Sequence, residues 1–121
     1  MSDFVVKIPR ISIQLSMDYI EIVTTFETKE NAQRIAKAII EKRLVACCHI
    51  NEIESHYAFE GKTNHHPEFR LGMITRMDMF DTCAKFIKAN HPYKLPAIVA
   101  TKIERACPEY FKWVDENISG Y

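Results

Sequence analysis

Apolar residues along this chain change their spacing several times, and each change marks an element. Tyr19 to Phe26 (YIEIVTTF) is rich in β-branched and aromatic side chains, the composition of a strand. From Ala32 the apolar positions fall at Ala32, Ile35, Ala36, Ile39 and Ile40. That is the single buried stripe of a helix. With Thr28 as its N-cap, the helix is predicted from Lys29 to Lys42. A second β region runs from Val45 to Phe59, far beyond the usual five or six residues. Its apolar phase shifts near Asn51 and Glu52, which predicts a bend or bulge there. Glu60-Gly61-Lys62 is the turn, with Gly61 the residue free to take positive φ. The return strand sets Phe69, Leu71 and Met73 on one face and Glu68, Arg70 and Gly72 on the other. Residues 45–75 thus form one long hairpin.

A second helix is predicted from Met77 to Ala89, lined by Met77, Phe80, Ala84 and Ile87. Asp78 and Asp81 near its start and Lys85 and Lys88 near its end suit the helix dipole. His91-Pro92 stops it, and Ala97 to Ile103 reads as another strand. Pro108 opens a third helix with Tyr110, Trp113 and Val114 as its apolar edge and Gly120 as its end. The order β-α-β-β-α-β plus a C-terminal helix is that of a ferredoxin-like α+β sandwich, two helices covering one face of a four-stranded antiparallel sheet. Residues 1–18, interrupted by Pro9, form an arm that is either an extended edge segment or a mobile tail. Residues 19–121 form a single domain. The hairpin arms exceed what the strands at 19–26 and 97–103 can pair, so at about 3.3 Å per residue the tip overshoots the sheet. An overhang carrying Tyr57, Phe59 and Phe69 is open to aggregation unless a neighbouring copy pairs with it. An oligomer is expected on that ground alone.

Charge removes some functions. The chain has 121 residues, the size of one domain, with 16 Lys plus Arg against 16 Asp plus Glu. A net charge of zero argues against nucleic-acid binding through a general basic field. A hydrophobic share of 47% argues against disorder. No apolar run approaches the roughly 20 residues of a membrane span. The four cysteines (Cys47, Cys48, Cys83 and Cys107) include no C-x-x-C. They read as reduced, mostly buried thiols of a cytoplasmic protein, and the N-terminus lacks the pattern of a secretory signal.

Candidate chemistry is sparse. There is no P-loop, no dinucleotide-binding turn and no G-x-S-x-G, and the chain has only three glycines. No catalytic residue and no organic cofactor are expected. His65-His66 beside the turn diverge and read as solvated imidazoles. Cys47 and His49 share a strand face able to hold a soft divalent metal. Two ligands are not a site, however, and core packing of Cys47 is the better reading. His91, between a helix end and the loop stiffened by Pro92 and Pro96, reads as a cap or as a metal ligand.

An ordered set of motifs then carries a resemblance. It comprises Thr24-Thr25-Phe26; Ala46-Cys47 after Lys42-Arg43-Leu44-Val45; Tyr57-x-Phe59-Glu60-Gly61-Lys62; His91-Pro92-Tyr93-x-x-Pro96; and Tyr110-x-x-Trp113. Over residues 19–118 this resembles the CutA family, the divalent-cation tolerance proteins. The resemblance implies a ferredoxin-like subunit in a homotrimer built by inter-subunit strand pairing. It implies weak binding of copper or another divalent metal, a link to metal tolerance, and no catalytic activity. Kinship with the trimeric PII signal proteins implies an alternative, a small-molecule sensor; a structural trimer presenting partner proteins is another. Departures are local. Phe59 stands where a Trp is usual, Ile74 where a Lys is common, and Lys94 and Ala97 where acids are found. Thr24 and Asn90 replace a Cys and a His of the implied metal set, of which His91 alone is retained.

Overall fold

The computed structural model describes residues 17–119; the arm's residues 1–16, and Gly120 and Tyr121, lie outside them. The elements are β1 (Tyr19–Phe26), α1 (Lys29–Glu41), β2 (Cys47–Phe59), β3 (Lys62–Arg76), a 3₁₀ turn (Met77–Met79), α2 (Phe80–Asn90), β4 (Val99–Lys102) and α3 (Pro108–Asn117). The strands form one antiparallel sheet in the order β2-β3-β1-β4, the ferredoxin-like arrangement. Alternate residues of β1 supply one side of the core. Ile20, Ile22 and Phe26 join Leu71 and Met73 of β3, Ala32, Ile35 and Ile39 of α1, and Cys83 and Ile87 of α2 in one buried cluster. Full burial of each large apolar side chain stabilises the fold by about 1.5–3 kcal/mol.

Thr28 caps α1 as expected, its Oγ1 accepting from the Asn31 N–H at 3.2 Å. The helix ends in a Schellman motif. The Arg43 N–H reaches the Ile40 carbonyl at 2.9 Å, and the Leu44 N–H reaches the Ile39 carbonyl at 3.2 Å. Arg43 holds φ 59°, where glycine is usual. Its side chain also ties α1 to α3, because Nη2 donates to the Glu116 carbonyl at 2.9 Å and Nε to that of Asn117 at 3.5 Å. One residue thus closes α1 and caps α3. At the same end of the sheet, fully buried Arg76 donates from Nε to Asp78 Oδ1 at 3.0 Å and from Nη1 to Asp115 Oδ1 at 3.3 Å. A buried charge needs such partners. Tyr19 Oη donates to the second oxygen of Asp115 at 2.7 Å.

Four local expectations are corrected. The hairpin has no bulge, because β2 and β3 pair residue for residue from Cys47↔Ile74 to Phe59↔Lys62. The phase change at Asn51 and Glu52 has a different cause. β1 stops pairing β3 at Phe26↔Phe69, and Phe69 is also the partner of Glu52; beyond that point the inside–outside alternation loses its core. In the turn, Glu60 as well as Gly61 has positive φ, 52° and 76°, as a two-residue type I′ connection requires. The buried stripe of α2 is Cys83 and Ile87, continuing Met79, while Met77 is exposed. The 3₁₀ winding of residues 77–79 sets Met79 inward in place of Met77, while Phe80 and Ile87 of the expected face stay against the core. On α3, Val114 is buried together with Ile118 just past the helix, and Phe111 stacks on Tyr19 with ring centroids 3.9 Å apart. Tyr110 and Trp113 face outward and stack on each other.

Candidate metal centre

Beyond the end of β1 the hairpin continues as a two-stranded ribbon, residues 53–59 and 62–68, seven on each arm. At about 3.3 Å per residue it projects roughly 20 Å past the sheet. Its register, fixed by the tight turn, decides which side chains meet. His56 lies directly opposite His65, and Ser55 opposite His66.

Because neighbouring residues point to opposite faces, His65 and His66 separate into two environments. On one face the His56 and His65 rings stack, centroids 4.2 Å apart and planes 21° from parallel. Glu54 joins them: its Oε2 lies 2.6 Å from His65 Nε2 and its Oε1 3.9 Å from His56 Nε2. One donor atom from each of the three residues lies within 4.8 Å of the others, and all three side chains are exposed. The hydrogen bond to His65, and then the charges of His65 and His56, hold the Glu54 carboxyl below its ordinary pKa.

On the other face Glu68 is buried at the root of the ribbon. Its Oε1 accepts from Ser55 Oγ at 2.7 Å and its Oε2 from Tyr93 Oη at 2.5 Å. His66 meets Tyr57, Nδ1 to Oη 3.3 Å. Burial, followed by the hydrogen bond and charge of Glu68, pushes the Tyr93 phenol well above its ordinary range. Tyr93 therefore stays a neutral donor, and it latches the loop after α2 to the ribbon root. His65 and His66 diverge as expected and His65 is exposed, but each also has side-chain partners that the sequence reading did not include. Counting back from a two-residue turn would have found them, because pairing Phe59 with Lys62 sets His56 against His65.

His91 is buried where α2 ends. Its ring stacks on Phe26 with centroids 4.3 Å apart. Nδ1 accepts from the Tyr93 N–H at 3.0 Å, and Nε2 donates to the Thr25 carbonyl at 2.9 Å. Burial lowers its pKa, the Thr25 carbonyl opposes that, and the Arg34 charge adds to the lowering. Both ring nitrogens are therefore engaged, and a metal on His91 has to displace a backbone partner. Of the positions that depart from the family pattern, Ile74 is buried opposite Cys47, while Lys94 and Ala97 are exposed. Thr24, also buried, has an Oγ1 without a hydrogen-bond partner among the described residues.

Cys47 and His49 share a strand face as expected, Sγ to Nε2 3.5 Å. Cys47 is half-buried and His49 exposed. Burial raises the Cys47 thiol and pushes those of Cys48 and Cys83 up to about 12. Among the described residues no helix is long and apolar enough to cross a membrane.

A sheet of this order with an overlong β2–β3 ribbon defines a ferredoxin-like α+β subunit. The chain belongs to the CutA1 divalent ion tolerance protein family, whose profile matches residues 20–117. The divalent-cation tolerance protein CutA of Archaeoglobus fulgidus is 39% identical over 97 residues, covering 80% of this chain and 95% of that protein. Its counterpart in Pyrococcus horikoshii is 33% identical over 96 residues, covering 79% and 94%. The solved structure of the periplasmic divalent cation tolerance protein CutA of A. fulgidus superposes with a TM-score of 0.82 at 38% identity, over 84% of this chain and 99% of that one.

Proposed function

We propose that this chain works as a homotrimer that binds divalent cations, copper foremost, in metal tolerance, without catalytic activity. The observation that carries the reading is the ribbon. Seven residues on each arm leave the sheet, and the outer edges of β2 and β4 have no strand partner among the described residues. Tyr57 and Phe59 are exposed on that overhang, and Val99 on β4. Pairing between copies satisfies both edges and covers these side chains. The divalent cation follows from the family and from the imidazole and carboxylate donors that the ribbon displays. His91 acts in this reading as the residue that sets the loop of residues 91–96, because backbone groups occupy both its nitrogens. Four free cysteines suit the reducing cytoplasm.

A thermal-shift screen across divalent metals and nucleotides tests the reading. A ligand at 100 times its dissociation constant adds about 2.7 kcal/mol to the stability of the native state. Stabilisation by copper and not by nucleotides is expected. Stabilisation by nucleotides alone would favour the small-molecule sensor.

A further inference from the structure

We propose that Glu54, His56 and His65 form a cation site on the ribbon that takes copper(II) or zinc(II). The choice of cation rests on the functional reading above, while the location rests on geometry alone.

Ligand atoms about 2.0–2.1 Å from a metal lie roughly 3 Å apart from one another. The two Glu54 oxygens lie 2.6 Å from His65 Nε2 and 3.9 Å from His56 Nε2. Small side-chain rotations therefore bring three donors around one ion. The backbone is already set: the cross-strand register puts His56 opposite His65, and Glu54 is the next residue of β2 on that face.

Two imidazole nitrogens and one carboxylate oxygen form a borderline donor set. It suits copper(II), zinc(II) and nickel(II), with copper(II) bound most tightly, and lacks the thiolate that selects copper(I). The ion takes the place of the hydrogen in the short His65–Glu54 contact, so each imidazole binds through a deprotonated Nε2. The carboxylate offsets one of its two positive charges, and the open side of the ribbon leaves room for water ligands.

Nothing in the described fold competes for these groups. All three side chains are exposed, and they hydrogen-bond and stack with one another. Strand pairing between copies uses backbone groups along the β2 edge, whereas these side chains stand off the ribbon's face, so assembly and cation binding are compatible.

The test is titration of the full-length assembled protein with copper(II) chloride at about pH 7.5, read by calorimetry and by electron paramagnetic resonance. The wild type is expected to bind one ion per chain with hyperfine splitting from two imidazole nitrogens. The doubly substituted His56→Ala, His65→Ala protein is expected to bind at least about 100-fold more weakly, since even supporting residues around a metal cost 10–100-fold. Native mass and circular dichroism confirm that this variant assembles and folds. His91→Asn and His49→Asn are expected to keep wild-type affinity. A wild type that binds no copper would overturn the cation-binding reading itself. A wild type that binds while the double variant keeps its affinity would overturn this site and leave that reading standing, and loss of binding in His91→Asn or His49→Asn alone would move the site to those residues.

Discussion

Tyr93→Phe deletes one oxygen, and its consequence follows from the environment of Glu68. That carboxylate is 7% exposed and sits where the ribbon leaves the sheet. It receives two short donors, Ser55 Oγ at 2.7 Å and Tyr93 Oη at 2.5 Å. His66 Nε2, at 3.9 Å, is too distant to replace the phenol. A hydrogen bond to a charged group stabilises by about 1.5–3 kcal/mol, so a loss of that size is expected. For a domain of this length that lowers the melting temperature by roughly 4 °C per kcal/mol. The assay is guanidinium unfolding of wild type, Tyr93→Phe, Glu68→Gln and the double variant at one protein concentration, because assembly makes stability depend on concentration. Direct coupling between the two groups requires an interaction energy above about 1 kcal/mol in this cycle. Additive effects would refute the claim that the phenol–carboxylate bond latches the loop to the ribbon.

Burial holds His91 below the ordinary imidazole pKa, so the unfolded chain binds a proton more readily than the folded one. Its contribution is complete above the unfolded value near 6.5 and is lost as pH falls from there through the folded value. His91→Asn should therefore flatten the decline of the guanidinium midpoint on acidification from pH 7.5 to 5; equal slopes would refute this. Arg43→Ala keeps the positive φ but loses both carbonyl contacts to α3, and a cost of about 1–2 kcal/mol in urea unfolding is expected. Arg43→Gly should cost about 1 kcal/mol less, because glycine relieves the backbone; identical losses would show that the left-handed conformation carries no strain. Phe59 is 54% exposed in the single chain, so covering it in an assembly gains about half of a full phenylalanine burial, on the order of 1–1.5 kcal/mol per chain. Phe59→Ala should raise the dissociation constant of the assembly in sedimentation, and an unchanged constant would leave the ribbon tip outside the interface.

Alternation and helical spacing made β1, α1 and the hairpin legible because one face of each meets the core. The same rule misread Asn51 and Glu52. It reads the loss of alternation as a bulge, while here the neighbouring strand simply ends. It misplaced the start of the α2 face and the face of α3 for two separate reasons. A 3₁₀ turn puts Met79 rather than Met77 inward at the start of α2 in a way composition does not mark, and Ile118, outside α3, completes the buried row with Val114. The site was harder to see. His56 and His65 are nine positions apart in the chain and meet only through a register set by positive φ at Glu60, a residue type that does not announce such a turn. His91 was conspicuous for the opposite reason: its Pro-flanked loop marks a constrained position. The hydrogen bonds that occupy its ring come from Thr25, far away in sequence, and from the backbone of Tyr93.

Native mass spectrometry of the full-length protein, without metal and then with a slight excess of copper(II), tests assembly and cation binding together. Particles of three chains that gain three copper ions are the expected result. A monomer at micromolar concentration, or a trimer that takes up no copper, would contradict a ribbon-built trimer that binds divalent cations.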